Sequence, residues 1–238
     1  MALFGRPQVI DNMCHAVPYT SEMHPRMLHP LPVGLEPVSK EYISSLPTLE
    51  LNSKLVQQIR AAKPTTDEPG VIENVDIQDI HVPLKTARDG VLELSIVKPI
   101  DAKDQILPAV FFMHGGGFCI CNKYTHRKIC VELALRARVA VIFASYSLAP
   151  EAKFPLAIYE CLESLQWTVA NADSLRVDAD KLVVCGDSSG GNFAAAVSLL
   201  AKEHSIKLAG QILWYPGIDP DMVDQSCRAI RGRIRNHA

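Results

Sequence analysis

The stretch Lys181-Leu-Val-Val-Cys-Gly-Asp-Ser-Ser-Gly-Gly-Asn192 decides the fold. A short apolar run, Leu182 to Val184, enters Gly186-Asp187-Ser188-Ser189-Gly190, and a small-residue helical stretch from Phe193 to Ala201 follows at once. Glycines on both sides of a serine let a strand turn sharply into a helix and leave the serine hydroxyl in the open. A Cβ at either glycine is expected to clash in so tight a turn. By itself Gly-x-Ser-x-Gly is a weak signal, since it arises by accident in on the order of one chain in ten of this length.

A second element upstream makes it specific. His114-Gly115-Gly116-Gly117 directly follows the apolar run Ala109 to Met113, and an accidental His-Gly-Gly-Gly is expected in well under roughly one chain in a hundred. Both motifs fall at the C-terminal ends of predicted strands, where open α/β sheets place their chemistry.

With these residues in view, His114-Gly-Gly-Gly-Phe118, Tyr146-Ser-Leu-Ala-Pro-Glu151 and Gly186-Asp-Ser-Ser-Gly-Gly-Asn192 resemble the HGGG, YRLAPE and GDSAGG motifs of the hormone-sensitive-lipase branch of the α/β-hydrolases. Order and spacing match as well, from about Val75 to about Asp219. Ser147 stands where that family has arginine, and Ser189 where it has alanine. The resemblance implies a serine carboxylesterase or lipase-like hydrolase of small to medium acyl esters, with Ser188 as nucleophile. It implies an oxyanion hole made of the backbone N–H groups of Gly116, Gly117 and Ser189. His114, Gly115 and Asp187 are then supporting residues: His114 holds the loop and Asp187 fixes the elbow. Glycine is expected at 116 and 117 because a side chain would fill the space of the substrate carbonyl oxygen. Tyr146 to Glu151 is expected to brace the loop. Phe118 and Tyr124 either line the acyl or alcohol pocket or pack as core. No metal and no organic cofactor is needed.

The rest of the chain is consistent with one α/β core. At 238 residues and 48% hydrophobic it can bury a substantial interior. A net charge of -2 argues against nucleic acid or a membrane surface as partner. The resemblance implies a small-molecule ester substrate or ligand as partner. The seven cysteines (Cys14, Cys119, Cys121, Cys130, Cys161, Cys185, Cys227) mostly lie in apolar patterns and read as reduced thiols of a cytoplasmic protein. Cys119 and Cys121 are one residue apart, which suits neither a redox nor a zinc motif. No secretory signal is visible at the start, and no apolar run is long enough to span a bilayer.

Residues 1–70 are rich in proline and contain one helical stretch, 49–62, striped by Leu51, Leu55 and Ile59. They are expected to form an N-terminal cap-like segment, and 71–238 the hydrolase core. Alternation at Ile80, Val82 and Leu84 and at Leu92, Leu94 and Ile96, with Asp89-Gly90 between, predicts a hairpin. Thereafter the spacing predicts strand 108–114, helix 124–137, strand 139–144, helix 155–171, strand 181–185, helix 191–203 and strand 209–215. That is a mostly parallel sheet with helices on both faces. The 155–171 helix shows an apolar stripe at Leu156, Tyr159, Leu162, Leu165 and Val169.

The acid and histidine that complete a triad do not follow. They are due after further strands, yet one clear strand, 209–215, remains beyond Ser188. Asp219-Pro220 imitates the acid motif one strand too early, and His237 lies in an arginine-rich tail. The other histidines (His15, His24, His29, His81, His126, His204) have no counterpart as the base. The pattern predicts a core incomplete at its C-terminal end, a product shortened from a longer esterase, and self-association through the uncovered 209–215 edge. Without the base two other readings stay open: a non-catalytic small-molecule-binding protein on the same fold, and an inactive fragment.

Overall fold

The computed structural model describes residues 53–61 and 72–218. The chain divides into two compact units, Met1–Val56 with Ile218–Ala238, and Gln57–Gly217. The second holds the sheet. Most of the cap-like segment expected over 1–70 lies outside the described residues, as do Asp219-Pro220 and His237.

Four helices and six strands are described: α1 (Ser53–Ala61), β1 (Val75–Pro83), β2 (Val91–Pro99), β3 (Leu107–Met113), α2 (Arg127–Ala137), β4 (Ala140–Ala144), α3 (Leu156–Ala170), β5 (Val177–Asp187), α4 (Ser189–Glu203) and β6 (Gly210–Trp214). They form one sheet in the order β1-β2-β4-β3-β5-β6. β1 and β2 make the predicted antiparallel hairpin, Val75 opposite Pro99 and Pro83 opposite Val91. Its connection runs from residue 84 to 90 rather than turning on Asp-Gly alone. Leu84 N–H donates to Gly90 O across it, and Gly90 takes a φ of +75°. β2 is antiparallel to β4, whereas β4, β3, β5 and β6 are mutually parallel.

Burial explains the central strands. All five residues of β4 are buried, and so are six of the seven in β3. Their apolar residues run without alternation because both faces are covered. On one face Val97, Val110, Phe112, Val141 and Phe143 pack with Cys130, Val131 and Ala134 of α2. Side chains alternate along a strand, so Phe111 and Ile142, both fully buried, point to the other face. α4 packs on β3, β5 and β6 and also meets α3.

Three elements differ from the sequence expectation, two in where they start and one in the face it buries. α2 begins at Arg127 because the Asn122 side chain accepts the N–H groups of Tyr124 and Thr125 and makes a turn there instead. β5 starts at Val177, four residues early, through its pairing with Leu107 and Pro108 ahead of a register shift. α3 buries Ile158, Cys161, Leu162, Leu165 and Thr168, while Leu156, Tyr159 and Val169 are only half-buried. The helix is apolar nearly all round, and its face is settled by Glu160, fully buried. That carboxylate accepts Ser147 N–H and Oγ–H, each at 2.8 Å, and Arg88 N–H at 3.3 Å.

The topology positions the site. From β3 the chain moves through α2 to β4 on one side, then crosses through α3 to β5 on the other. The connections leaving β3 and β5 therefore diverge, and the C-terminal ends of two such strands are where open α/β sheets place their sites. Among the described residues β6 has β5 as its one strand neighbour, and Ile212 on it is exposed. No helix among the described residues is long and apolar enough to cross a membrane.

Candidate active site

β5 ends at Asp187, α4 begins at Ser189, and Ser188 is the single residue between them. Its φ of +51° and ψ of -118° are costly for a residue with a Cβ, by about 1–2 kcal/mol. Three bonds hold it. Ser188 N–H donates to Trp214 O at 2.9 Å, while its carbonyl accepts Asn192 N–H at 3.1 Å and Gly217 N–H at 3.3 Å. The positive end of α4 lies at this residue.

The flanking glycines serve close packing. A Cβ on Gly190 would stand 2.1 Å from Met113 O and 2.4 Å from His114 O; on Gly186 it would meet Gly190 O at 2.2 Å and Met113 O at 2.7 Å. The elbow thus sits directly on the end of β3, with backbone against backbone.

The loop after β3 is built from His114. Its ring is buried, stacked on Tyr146 at 4.4 Å and Phe143 at 5.3 Å. Nδ1 lies 2.7 Å from Gly115 O; a carbonyl only accepts, so Nδ1 carries the proton. Burial pushes the imidazole pKa down to about 4, which leaves it neutral at pH 7. Tyr146 Oη–H donates to His114 O at 2.5 Å. His114 is therefore a fixed brace.

Asp187 joins the elbow to this loop. Its Oδ1 accepts Gly115 N–H at 2.9 Å and lies 3.3 Å from His126 Nε2. Burial by itself would raise the carboxyl; the hydrogen bond and charge of His126, with the Gly115 N–H, outweigh it and hold the pKa below the usual aspartate value. A Cβ on Gly115 would collide with Asp187 Oδ2 at 2.3 Å.

Gly116 and Gly117 have φ of +123° and +57°. Glycine at 116 has a reason within the loop itself: a Cβ there would strike Ile120 O at 2.2 Å. Gly116 O accepts the N–H groups of Cys119 and Ile120, which folds the loop back on itself. At Gly117 nothing lies within 4 Å of a Cβ, and the positive φ favours glycine there. Ser189 is buried at the first turn of α4, and its Oγ accepts Phe118 N–H at 3.3 Å. Ser188, Ser189, Gly115, Gly116, Gly117, His114 and Asp187 are thus gathered at the ends of β3 and β5. Phe118 and Tyr124 are both exposed, Phe118 beside the Phe193 ring at 5.2 Å and Tyr124 under the Arg127 guanidinium at 4.8 Å. Neither is core.

Three participants had no signal in the sequence pattern: His126, Glu160 and Arg60. Arg60, on α1, donates to the carbonyls of Cys119 and Ala149 and pairs with Glu151. Among the described residues no side chain hydrogen-bonds the Ser188 hydroxyl, and the described histidines that approach the site, His114 and His126, are engaged elsewhere. No group of three or more metal-binding side chains occurs among the described residues.

A family model described as alpha/beta hydrolase fold matches residues 110–234. Among solved structures, a fungal esterase from Rhizomucor miehei superposes with a TM-score of 0.71 at 37% identity, over 82% of this chain and 62% of that one. An arylesterase of Saccharolobus solfataricus is 34% identical over 66% of this chain and 49% of its own length. Carboxylesterase NlhH of Mycobacterium tuberculosis is 29% identical over 79% of this chain and 59% of its own. The chain spans about half the length of the curated relatives it matches.

Proposed function

We propose, from the premise that this chain belongs to the alpha/beta hydrolase fold family and to its hormone-sensitive-lipase-like branch, that it carries the nucleophilic half of a carboxylic ester hydrolase. Ser188 Oγ attacks the acyl carbon, and the carbonyl oxygen becomes an oxyanion received by the N–H groups of Gly116, Gly117 and Ser189. Each such donor contributes about 3 kcal/mol to lowering the barrier. The alcohol leaves, and water then hydrolyses the acyl-serine. No metal and no organic cofactor enters these steps. A serine hydroxyl needs a base within hydrogen-bond reach to take its proton, and in this family that base is the histidine that follows the acid; among the described residues no histidine takes that place. His114 braces, and Asp187 fixes the elbow to the oxyanion loop.

The observation that carries the reading is Ser188 itself, held at positive φ between β5 and α4, against a loop with consecutive positive-φ glycines. Small to medium acyl esters are the proposed substrates, in line with the arylesterase and carboxylesterase names of the relatives. The five described cysteines are all free, which supports a reducing compartment such as the cytoplasm. The near-neutral charge gives nucleic acid no electrostatic footing. Among the described residues β6 pairs on one side only, with β5, and its other edge is the proposed surface for self-association, read by sedimentation of wild type against Ile212→Lys.

Hydrolysis of a p-nitrophenyl ester series by the full chain tests the function. Turnover highest for short acyl groups and abolished by Ser188→Ala is expected. Turnover that survives Ser188→Ala contradicts it.

A further inference from the structure

The segment that presents the oxyanion donors is strained, and its restraints are few. Within 116–121, Phe118 and Cys121 as well as the two glycines have positive φ, +66° and +73° for the non-glycine pair. Such conformations persist only where the surroundings over-determine them. The segment's own turn at Gly116 O supplies part of the restraint, and Ala149 N–H to Phe118 O at 2.9 Å supplies another part. The bond from Phe118 N–H to Ser189 Oγ is long, at 3.3 Å.

What closes the structure is a guanidinium from α1, 59 positions away in the chain. Arg60 Nε donates to Cys119 O at 2.7 Å and Nη2 to Ala149 O at 2.5 Å. One planar group thus grips both chain segments that the Ala149–Phe118 bond already joins. Its third edge, Nη1, faces Glu151 at 2.9 Å. That ion pair is open to solvent, the Glu151 side chain being 43% exposed, so water and salt screen it. The carbonyl contacts are part-buried and charge-assisted.

We infer that Arg60 is a positioning residue of the oxyanion loop, and that it acts through the carbonyls of Cys119 and Ala149 rather than through its ion pair with Glu151. A lysine at 60 keeps the charge but reaches as a single point, without the fork that spans two carbonyls. Arg60 touches no reacting atom. Its effect passes through the backbone at Cys119 to Gly116 and Gly117, so it alters the chemical step more than substrate affinity. The catalytic part of this inference rests on the function proposed above; the mechanical part does not.

The experiment uses the full chain as wild type, Arg60→Ala, Arg60→Lys and Glu151→Gln, with two readouts. Hydrogen exchange of the 116–121 amides reports the loop whether or not the protein turns over. It is expected to accelerate at least about ten-fold in both Arg60 variants, with β3 and β5 unchanged, and to stay within about two-fold of wild type in Glu151→Gln. Phosphonylation of Ser188 by a fluorophosphonate is expected to slow about ten- to a hundred-fold in the Arg60 variants, with the concentration dependence little changed. Unaltered exchange at 116–121 in Arg60→Ala overturns the inference. So does a Glu151→Gln variant as perturbed as Arg60→Ala, or an Arg60→Lys variant that matches wild type. A wild-type chain that resists phosphonylation sinks the esterase reading instead, and the exchange data still decide the role of Arg60.

Discussion

At the elbow, Gly186 and Gly190 are required because backbone carbonyls stand where a Cβ would be. The loop facing it is closed by contact at Gly115 and Gly116, but a Cβ on Gly117 would meet nothing within 4 Å, and that residue is favoured as glycine by its φ of +57°. The elbow is thus shaped by contact: strand end, turn and helix start interlock with no side chain between them. The loop after β3 is held in addition by tethers, from Asp187 to Gly115, from His114 to Gly115 O, and from Tyr146 to His114 O. Contact of the first kind fails abruptly when filled. Tethers fail one at a time, and some of them titrate.

The sharpest way to break this contrast is Gly190→Ala. Two backbone carbonyls must move to admit the methyl, so a loss of more than about 4 kcal/mol is expected, or no folded protein at all. Thermal unfolding measures it, and a well-folded variant near wild-type Tm shows that the elbow is less tightly closed than described.

The next effect comes from pH. His114 is neutral in the fold with a pKa of about 4, against 6.5 for an ordinary histidine, chiefly through burial. Its depressed value means the native state binds fewer protons than the unfolded chain. Its contribution is complete above pH 6.5 and lost as the pH falls toward 4, by about 3 kcal/mol at most. Asp187, also held low, adds a loss below its ordinary value of 3.8. A His114→Asn variant is expected to flatten the decline between pH 6.5 and 4 in denaturant titrations. A slope identical to wild type assigns the acid lability to other groups.

Asp187→Ala removes the acceptor of the buried Gly115 N–H and the partner of His126. About 2 kcal/mol is expected from the orphaned donor, with Asp187→Asn recovering part of it because its amide oxygen still accepts. Equal stabilities for the two variants remove the Gly115 bond from the account. Gly117→Ala is expected to cost least, about 1 kcal/mol from φ alone. A cost approaching that of Gly190→Ala shows that the loop is closed by contact at Gly117 as well.

Much of this arrangement was legible in the residues because it is local. Leu182 to Val184, the glycines around Ser188 and the small residues beyond them specify strand, turn and helix within a dozen positions. His114-Gly-Gly-Gly does the same at the end of β3. The parallel sheet followed from uninterrupted apolar runs. What escaped joins residues far apart. His126 meets Asp187 across 61 positions and Arg60 meets Cys119 across 59, with no periodicity to mark either. The stripe on α3 holds at Leu162 and Leu165, while Ile158, Cys161 and the buried carboxylate Glu160 take the places expected of Leu156, Tyr159 and Val169. The contact that keeps Gly116 a glycine escapes as well: the atom in its way, Ile120 O, belongs to a fold-back that no composition rule reveals.

The claim on which everything else depends is that Ser188 is the one hydroxyl poised for acyl chemistry. Mass spectrometry of the full chain after reaction with a fluorophosphonate tests it directly. The account predicts a single adduct, mapped to the peptide bearing Ser188 and absent from Ser188→Ala. An adduct on Ser189 or elsewhere, or equal labelling of the variant, contradicts it.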